Sequence, residues 1–472
     1  MNPSAFFYIL LIPSIVQAEF FNDVSDLIEN NNARLSYGIA VTDFDKDGNN
    51  EFIVTGFRYP NLALGLRDGT IQNVLKNPLF SDESRSTIGV AACDTDSDGK
   101  EEIYFLNTDT YSGKKLYSDR LLKDGPQLID IFSLDQNQEQ LNLTAGRSVV
   151  CVDRVGDGSY DFYVANYGGP TRYYEVSELN VTDKAPDLNI DKITGGRSVV
   201  AGHILSEKMD IFAANENGSN FLYKNVAGKF SEVAEELMIS DPEQHGRGTV
   251  LTDVDYDGNL DIVSGNWNGF HRIFVKSKDG FIDKSSAGFR FPSQIRTVIS
   301  ADFDNDGYDE IFMNNIGQPN RLFKIREHGV LEEIDFQIGL ETFGLGTGAA
   351  VADIDNDGVL ELLIAHGEVD PQPLSLYKAK VKSSSTYLRV QPLNTNGAPA
   401  RGATVILKTD QRHHAKTIDA GSGYLCQMEP IAHYGLRKKE IVKKVQVRWT
   451  DGSMSEIKPG ALNTTIVVRQ SQ

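Results

Sequence analysis

Five times the chain repeats the pattern Asp-x-Asp-x-Asp-Gly-x-x-Asp/Glu. The acids are Asp43, Asp45, Asp47 and Glu51; Asp94, Asp96, Asp98 and Glu102; Asp253, Asp255, Asp257 and Asp261; Asp302, Asp304, Asp306 and Glu310; and Asp353, Asp355, Asp357 and Glu361. Asp at positions one, three and five of a tight turn aims three carboxylates at one point. Gly at six permits the turn, the carbonyl at seven adds an oxygen, and the acid at nine completes the shell. Hard oxygen ligands in that number suit Ca²⁺. The first six positions look like an EF-hand loop, but position twelve holds Val54, Phe105, Ser264, Met313 and Ile364 instead of Glu. The competing reading is a set of Asp/Gly turns without metal. So many clustered acids would repel one another strongly without cations, so about five calcium sites are expected. A third copy keeps Asp153, Asp157 and Asp161 but has Val155 where a ligand is needed, and a weak site is expected there. A fourth begins at Gly202, keeps only Asp210, and is expected to bind nothing.

The loops begin at 43, 94, 153, 202, 253, 302 and 353, which makes seven repeats. An apolar run precedes each loop, as in Val250-Leu251-Thr252, and another follows, as in Phe52-Ile53-Val54. An aromatic strand comes next (Arg272-Ile273-Phe274, Arg321-Leu322-Phe323), then a short last one (Phe281 to Ser285). Four short strands repeated seven times predict an all-β, seven-bladed propeller. The seventh repeat lacks its last strand. Phe21 to Ser25 supplies one, so the N-terminus should close the ring and remove its open edges. Lys378 to Ser385 reads as a linker. Beyond it Leu388–Val390, Thr404–Leu407, Val445–Trp449 and Ile466–Val468 predict a small β-domain. The expected organisation is a signal peptide at 1–18, the propeller at 19–380 and the β-domain at 386–470.

Composition narrows the classes. With 472 residues, 40% hydrophobic and 24% charged, the chain is neither disordered nor a membrane bundle. Its net charge of -20 makes it a poor binder of nucleic acid. Ala5 to Val16 is apolar but too short to span a bilayer, and Val16-Gln17-Ala18 offers a cleavage site near Glu19. The alternative is a buried N-terminal strand. No later stretch is long and apolar enough to span a bilayer, so a secreted, extracellular product is expected. Sequons at Asn142, Asn180, Asn217 and Asn463 agree with export. Cys93 and Cys151 sit just before the second and third loops. They read as small buried residues, with a disulfide between neighbouring blades as the alternative; Cys426 has no evident partner.

The acidic loops and their strands resemble FG-GAP/VCBS-type repeats, the kind found in integrin α-subunit propellers. Gly265-Asn266-Trp267-Asn268-Gly269, Arg296-Thr297-Val298-Ile299 and His366-Gly367-Glu368 are similar to the cartilage acidic protein 1 family. So are Ala400-Arg401-Gly402-Ala403, Gly421 to Cys426 and Val447 to Gly452, which resemble its ASPIC/UnbV module. Longer vertebrate members carry an EGF-like module. This chain has too few Cys for one, so a short form is expected.

No His pair has metal-ligand spacing, and no nucleophile elbow or phosphate loop occurs. His413-His414 reads as a solvated turn, Gly421-Ser422-Gly423 as a turn, and His433 as a structural residue or a site residue. Four Arg lie about six residues before a loop start: Arg147, Arg197, Arg247 and Arg296. Six residues of strand span about 20 Å, so they should line the channel at the end away from the calcium loops. Guanidinium suits carboxylate, sulfate or phosphate. The competing reading pairs each Arg with an acid or carbonyl of the next blade. The expected function is a non-catalytic, calcium-binding protein of the extracellular matrix or cell surface. Its partner would be an extracellular or cell-surface protein or a sulfated glycan, bound on the propeller face opposite the calcium loops. The alternative is a secreted propeller enzyme acting on glycans.

Overall fold

A computed structural model describes residues 20–334, 341 and 344–471. The expected signal peptide lies outside the described residues. Within them, seven antiparallel four-stranded units follow one another in chain order, and the seven first strands touch in one closed cycle. These first strands are Ser36–Thr42, Thr87–Cys93, Gly146–Val152, Ile193–Gly202, Gly246–Thr252, Ile295–Ala301 and Gly346–Ala352. They line the axis of a seven-bladed β-propeller. Blades three and four are also joined edge to edge, through Tyr167 opposite Gly195.

Each acidic loop links a first strand to a second. The residue just after the ninth loop position is Phe52, Ile103, Phe162, Ile211, Ile262, Ile311 or Leu362, and all are fully buried. A branched or aromatic side chain at that register packs the blade interior, worth roughly 1.5–3 kcal/mol each. Repetition of the acidic pattern therefore carries repetition of the core with it.

The ring closes as expected. Phe21–Asp23 pairs antiparallel with Ser375–Ala379, Phe21 opposite Ala379 and Asp23 opposite Tyr377. Phe21 is buried, its ring 5.3 Å from Phe303 and 6.3 Å from Tyr377. The seventh blade's third strand runs to Ala379, so the linker begins two residues later than the sequence suggests. Deleting residues 20–25 leaves that strand with a free edge. We expect such a protein to elute as aggregate in size-exclusion chromatography. A monomeric product with an unchanged melting temperature would show that closure lies elsewhere.

The C-terminal segment forms two sheets. One holds Ala432–Leu436, Thr386–Leu393 and Thr465–Arg469; the other holds His413–Thr417, Thr404–Thr409, Val442–Arg448 and Met454–Ile457. Their apolar faces enclose Trp449, Tyr434, Leu407 and Val447. His413-His414 is not a turn: it opens a strand. His414 is buried, with Nε2 3.2 Å from Asp309 and Nδ1 2.9 Å from Arg412.

This module sits on the acidic-loop side of the ring, and its residues 419–429 run into the central channel. Backbone hydrogen bonds tie this segment to the first strands: Val41 N–H to Gln427 O, Gln427 N–H to Ile39 O, Cys151 N–H to Ala420 O, and Thr249 and Gly423 to each other. The Gln427 amide adds a reciprocal pair with Ala92. The channel-facing backbone of the first strands thus finds partners in protein instead of water. A Cβ on Gly38 would lie 2.4 Å from Leu425 O, and one on Gly348 2.8 Å from Cys426 Sγ. Glycine at those positions makes room for the insert. Gly421-Ser422-Gly423, which reads as a turn, is part of this plug.

Inside the ring the acids are paired. Arg401, fully buried, donates Nε to Glu101 at 2.8 Å and Nη2 to Glu101 at 3.1 Å. It also donates to the carbonyls of Val41, Asp419 and Met428. Arg389 bridges Asp353 at 2.8 Å and Glu429 at 2.5 Å. Cys93 and Cys151 form a disulfide between the second and third blades. That corrects the simpler reading of both as small buried residues. Cys426 is a buried free thiol that burial pushes up to about 12.

Candidate functional site

The acidic loops share one local geometry. The first Asp accepts from the N–H of the Gly at position six: Gly48 to Asp43 at 3.1 Å, Gly99 to Asp94 at 3.0 Å, and Gly258, Gly307 and Gly358 to Asp253, Asp302 and Asp353 at 2.9 Å. That Gly takes φ of +83 to +91°, where a side chain is strained. The ninth acid accepts from the N–H at position two, as in Val254 to Asp261 at 2.9 Å and Ile354 to Glu361 at 3.0 Å. In Asp43 and Asp353 one oxygen is held in this way and the other is left without a partner among the described residues, while Asp94, Asp253 and Asp302 also accept from the N–H at position five.

Five groups bring their ligand atoms within 4.8 Å of one another: Asp43, Asp45 and Glu51; Asp94, Asp96 and Glu102; Asp253, Asp255 and Asp261; Asp302, Asp304 and Asp306; Asp353, Asp355 and Asp357. One oxygen of each of Asp43, Asp96, Asp255, Asp304 and Asp353 is buried without a hydrogen-bond partner among the described residues. Buried carboxylate oxygens in this condition are costly without a cation. Burial, reinforced by neighbouring acids, pushes Glu51 up to about 8, Asp94 to about 7 and Asp302 to about 8. The donor set therefore fits a hard divalent cation. Basic side chains of the third strands reach the same loops: Arg67 to Asp47 at 2.7 Å, Lys123 to Asp96 at 2.6 Å, Lys324 to Asp304 at 2.7 Å and Lys378 to Asp355 at 2.6 Å. Each offsets only one of four formal negative charges.

The third loop is not among the five groups. Asp153 accepts from Gly156 and Asp157 with one oxygen, and from Gly158 and Thr450 with the other. Asp161 accepts from the Tyr173 hydroxyl at 2.9 Å, and Val155 faces solvent. These carboxylates address protein donors instead of a common centre. In the fourth repeat Asp210 accepts from the N–H groups of Leu205, Ser206 and Asn225.

The four Arg converge at the opposite end of the ring. Each occupies a β-bulge near the start of its first strand, where the register shifts, and a bulge re-aims a side chain. With Tyr37, Phe57, Ile88, Tyr111, Glu368 and Tyr424 they line a cavity of about 270 Å³. The plug supplies Tyr424, whose hydroxyl is 3.5 Å from Arg197 Nη1. Arg147 and Arg197 lie over Tyr111 and Tyr167, and Arg247 and Arg296 over Trp267. Stacking holds the guanidinium planes while leaving edges free to donate.

Pairing is incomplete. Arg197 and Arg247 both bond Glu216, and Arg296 bonds Glu368 at 2.5 Å. Among the described residues Arg147 finds no acid and donates to the carbonyls of Gly146 and Tyr111. Nε of Arg147, and Nε and Nη1 of Arg247, are buried with no partner. Burial alone would raise the Tyr424 phenol, but the four guanidiniums, Arg197 foremost, outweigh it and lower the pKa. Neither sequence expectation holds in full, since acids occupy some guanidinium edges and leave others open.

Of the sequons, Asn180, Asn217 and Asn463 are exposed. Asn142 is fully buried, and its amide donates to Asp119 and Asn166 at 2.8 and 3.0 Å. A glycan has no room there, which corrects the expectation for that position. His433 is buried, its Nε2 2.5 Å from Asn305 of the sixth loop, and burial lowers its pKa. It links the module to the ring. Sequence reasoning missed the plug, Tyr424 and the aromatic supports Tyr111, Tyr167 and Trp267. The apolar Tyr424-Leu425-Cys426 beside Gly421-Ser422-Gly423 was the available signal.

The family models agree with this architecture. The FG-GAP-like repeat model matches residues 43–105, 253–313 and 302–364, and the ASPIC and UnbV model matches 393–472. The chain is 44% identical over 468 residues to cartilage acidic protein 1 of Mus musculus, covering 90% of this chain and 72% of that one. It is 43% identical over 484 residues to the Homo sapiens protein of that name, covering 93% and 73%. Among solved structures, the BP39L lectin from Burkholderia pseudomallei superposes with a TM-score of 0.46 at 11% identity, covering 72% of this chain and 99% of the lectin.

Proposed function

The chain belongs to the cartilage acidic protein 1 family, and from that premise we propose a secreted, non-catalytic interaction protein of the extracellular matrix or cell surface. Calcium in five loops would hold its propeller, and its partner would bind on the face opposite those loops. One observation carries this reading. The acidic-loop face is covered by the C-terminal module, while the far face presents the arginine cavity amid exposed apolar side chains. Tyr111, Leu116, Phe270, Phe291 and Val369, all in loops on that side, are 64, 73, 48, 69 and 71% exposed. Exposed apolar groups in such number mark interaction surfaces.

The glycan-enzyme alternative needs opposed carboxylates in an open channel. The channel is instead filled by 419–429. Glu101 and Glu429 are paired with Arg, and Asp419 accepts from Gly421, Ser422 and Met428. None of these is free for acid–base work. No helix among the described residues is long and apolar enough to cross a membrane.

The test is capture from matrix and cell-surface extracts by purified, calcium-loaded protein, compared with a Leu116→Asp, Phe291→Asp variant. Specific binding should fall at least tenfold in the variant at an unchanged melting temperature. Equal capture by both proteins would move the interaction surface elsewhere.

A further inference from the structure

We propose that the arginine cavity receives the side-chain carboxylate of an Asp or Glu on a partner protein, presented among apolar residues. The inference rests on the interaction reading above and goes further, naming the chemistry the far face selects.

Four guanidiniums converge on a cavity whose lining carries two carboxylates, Asp109 and Glu368, with Glu216 beside it pairing Arg197 and Arg247, so guanidiniums outnumber acids. Arg147 and Arg247 are 4 and 5% exposed, both line the cavity, and each carries N–H groups without a partner among the described residues. Buried charged donors without acceptors are expensive. A carboxylate arriving from outside would supply two acceptor oxygens to planar forks already oriented by Tyr111, Tyr167 and Trp267. The plug builds the floor, so the site is complete only when the C-terminal module is seated.

Size and surroundings choose between anions. A cavity of about 270 Å³ takes one side chain, not a length of polymer. Its lining also holds Tyr37, Phe57, Ile88 and Tyr111 beside Thr108 and Thr110, and Leu116, Phe270 and Phe291 are exposed in loops of the same face. A sulfated glycan offers nothing to apolar walls. It also carries many charges toward a protein of net charge -20, which would repel it outside the pit. A single acid flanked by apolar residues satisfies both halves of the surface.

The experiment uses the intact calcium-loaded protein and the fluorescence of Trp267, which stacks on two of the four arginines. The probes are an end-blocked Leu-Glu-Phe peptide, its Gln counterpart, the uncapped peptide Leu-Gln-Phe with a free C-terminus, and a heparin oligosaccharide. The variants are Arg147→Gln, Arg147→Lys and Arg247→Gln. Removing Arg147 orphans no acid, and removing Arg247 leaves Glu216 with Arg197, so all should melt within a few degrees of the parent. The Glu peptide should give a saturable change, weakened at least tenfold in each variant, including the lysine one that keeps the charge but loses the fork. The Gln peptide should give none. Equal response to Glu and Gln peptides, tighter heparin or C-terminal peptide binding lost in the same variants, or no response to any probe each overturns the carboxylate assignment. If extract capture persists while the Glu peptide fails, this inference falls and the interaction reading stands. If capture itself does not depend on the far face, that reading falls first.

Discussion

Stripping calcium should lower the melting temperature by about 10 °C. At ~2 mM free calcium and a Kd of ~10⁻⁴ M, each loop gains about 1.8 kcal/mol from binding the folded form alone, or about 9 kcal/mol over five loops. Spread over the unfolding entropy of a chain this long, that corresponds to about ten degrees. The pH dependence in chelator supplies a second check. Without a cation, burial holds Glu51 and Glu361 up to about 8, against 4.5 for the ordinary group, and Asp94 up to about 7 against 3.8. Between pH 5 and 8 the folded chain then keeps protons that the unfolded chain has released. Where the folded state binds more protons, stability falls as pH rises. Chelated protein should therefore melt progressively lower from pH 5 to pH 8, and calcium should flatten that slope. Asp304→Ala should reproduce part of the loss, and Asp157→Ala very little. Scanning calorimetry with and without chelator decides the matter. Identical melting curves would show that the loops stand without metal.

Replacing Arg401 with Met should destabilise the protein by ~3–5 kcal/mol, because it leaves Glu101 buried beside an apolar chain. Arg401 also holds three carbonyls, two of them at the ends of the plug. The damage should therefore reach the far end of the channel, where the plug supplies Tyr424. A Glu101→Gln, Arg401→Met double variant should recover part of the loss, since the uncompensated charge is gone. Urea melts of the three proteins provide the comparison. Additive losses would mean that the pair is not coupled.

What could be read without coordinates follows from locality. The acidic loops write ligand, turn and core residue within ten positions, so their spacing exposes site and fold together. The closing strand at Phe21 was readable because one repeat was visibly short of its last strand. The arginine row was readable because Arg147, Arg197, Arg247 and Arg296 share one phase of the period. The plug had no such phase. Residues 419–429 are irregular, and their partners lie hundreds of positions away: Gln427 answers Ala92 across 335 residues and Gly423 answers Ser198 across 225. His414 looked solvated because its neighbours are polar. It is buried because Asp309 and Arg412 satisfy both ring nitrogens. The disulfide was undecidable, because two Cys before two loops say nothing of how near adjacent blades stand.

The threaded channel has a consequence for the order of events in the cell. A chain emerging N-terminus first presents Phe21 long before its partner strand exists, and the ring cannot shut until Ala379 has been made. The plug comes later still, and it must enter a ring that is already assembling around it. Long loop closures precede the contacts that reward them, so folding of this topology is slow, and the incomplete ring exposes strand edges to other nascent chains. The same threading works in reverse once complete. To unfold, the insert must leave six bonded blades before any blade can peel away. The barrier to unfolding should therefore exceed what equilibrium stability alone implies, and the molecule's working lifetime becomes a matter of rate.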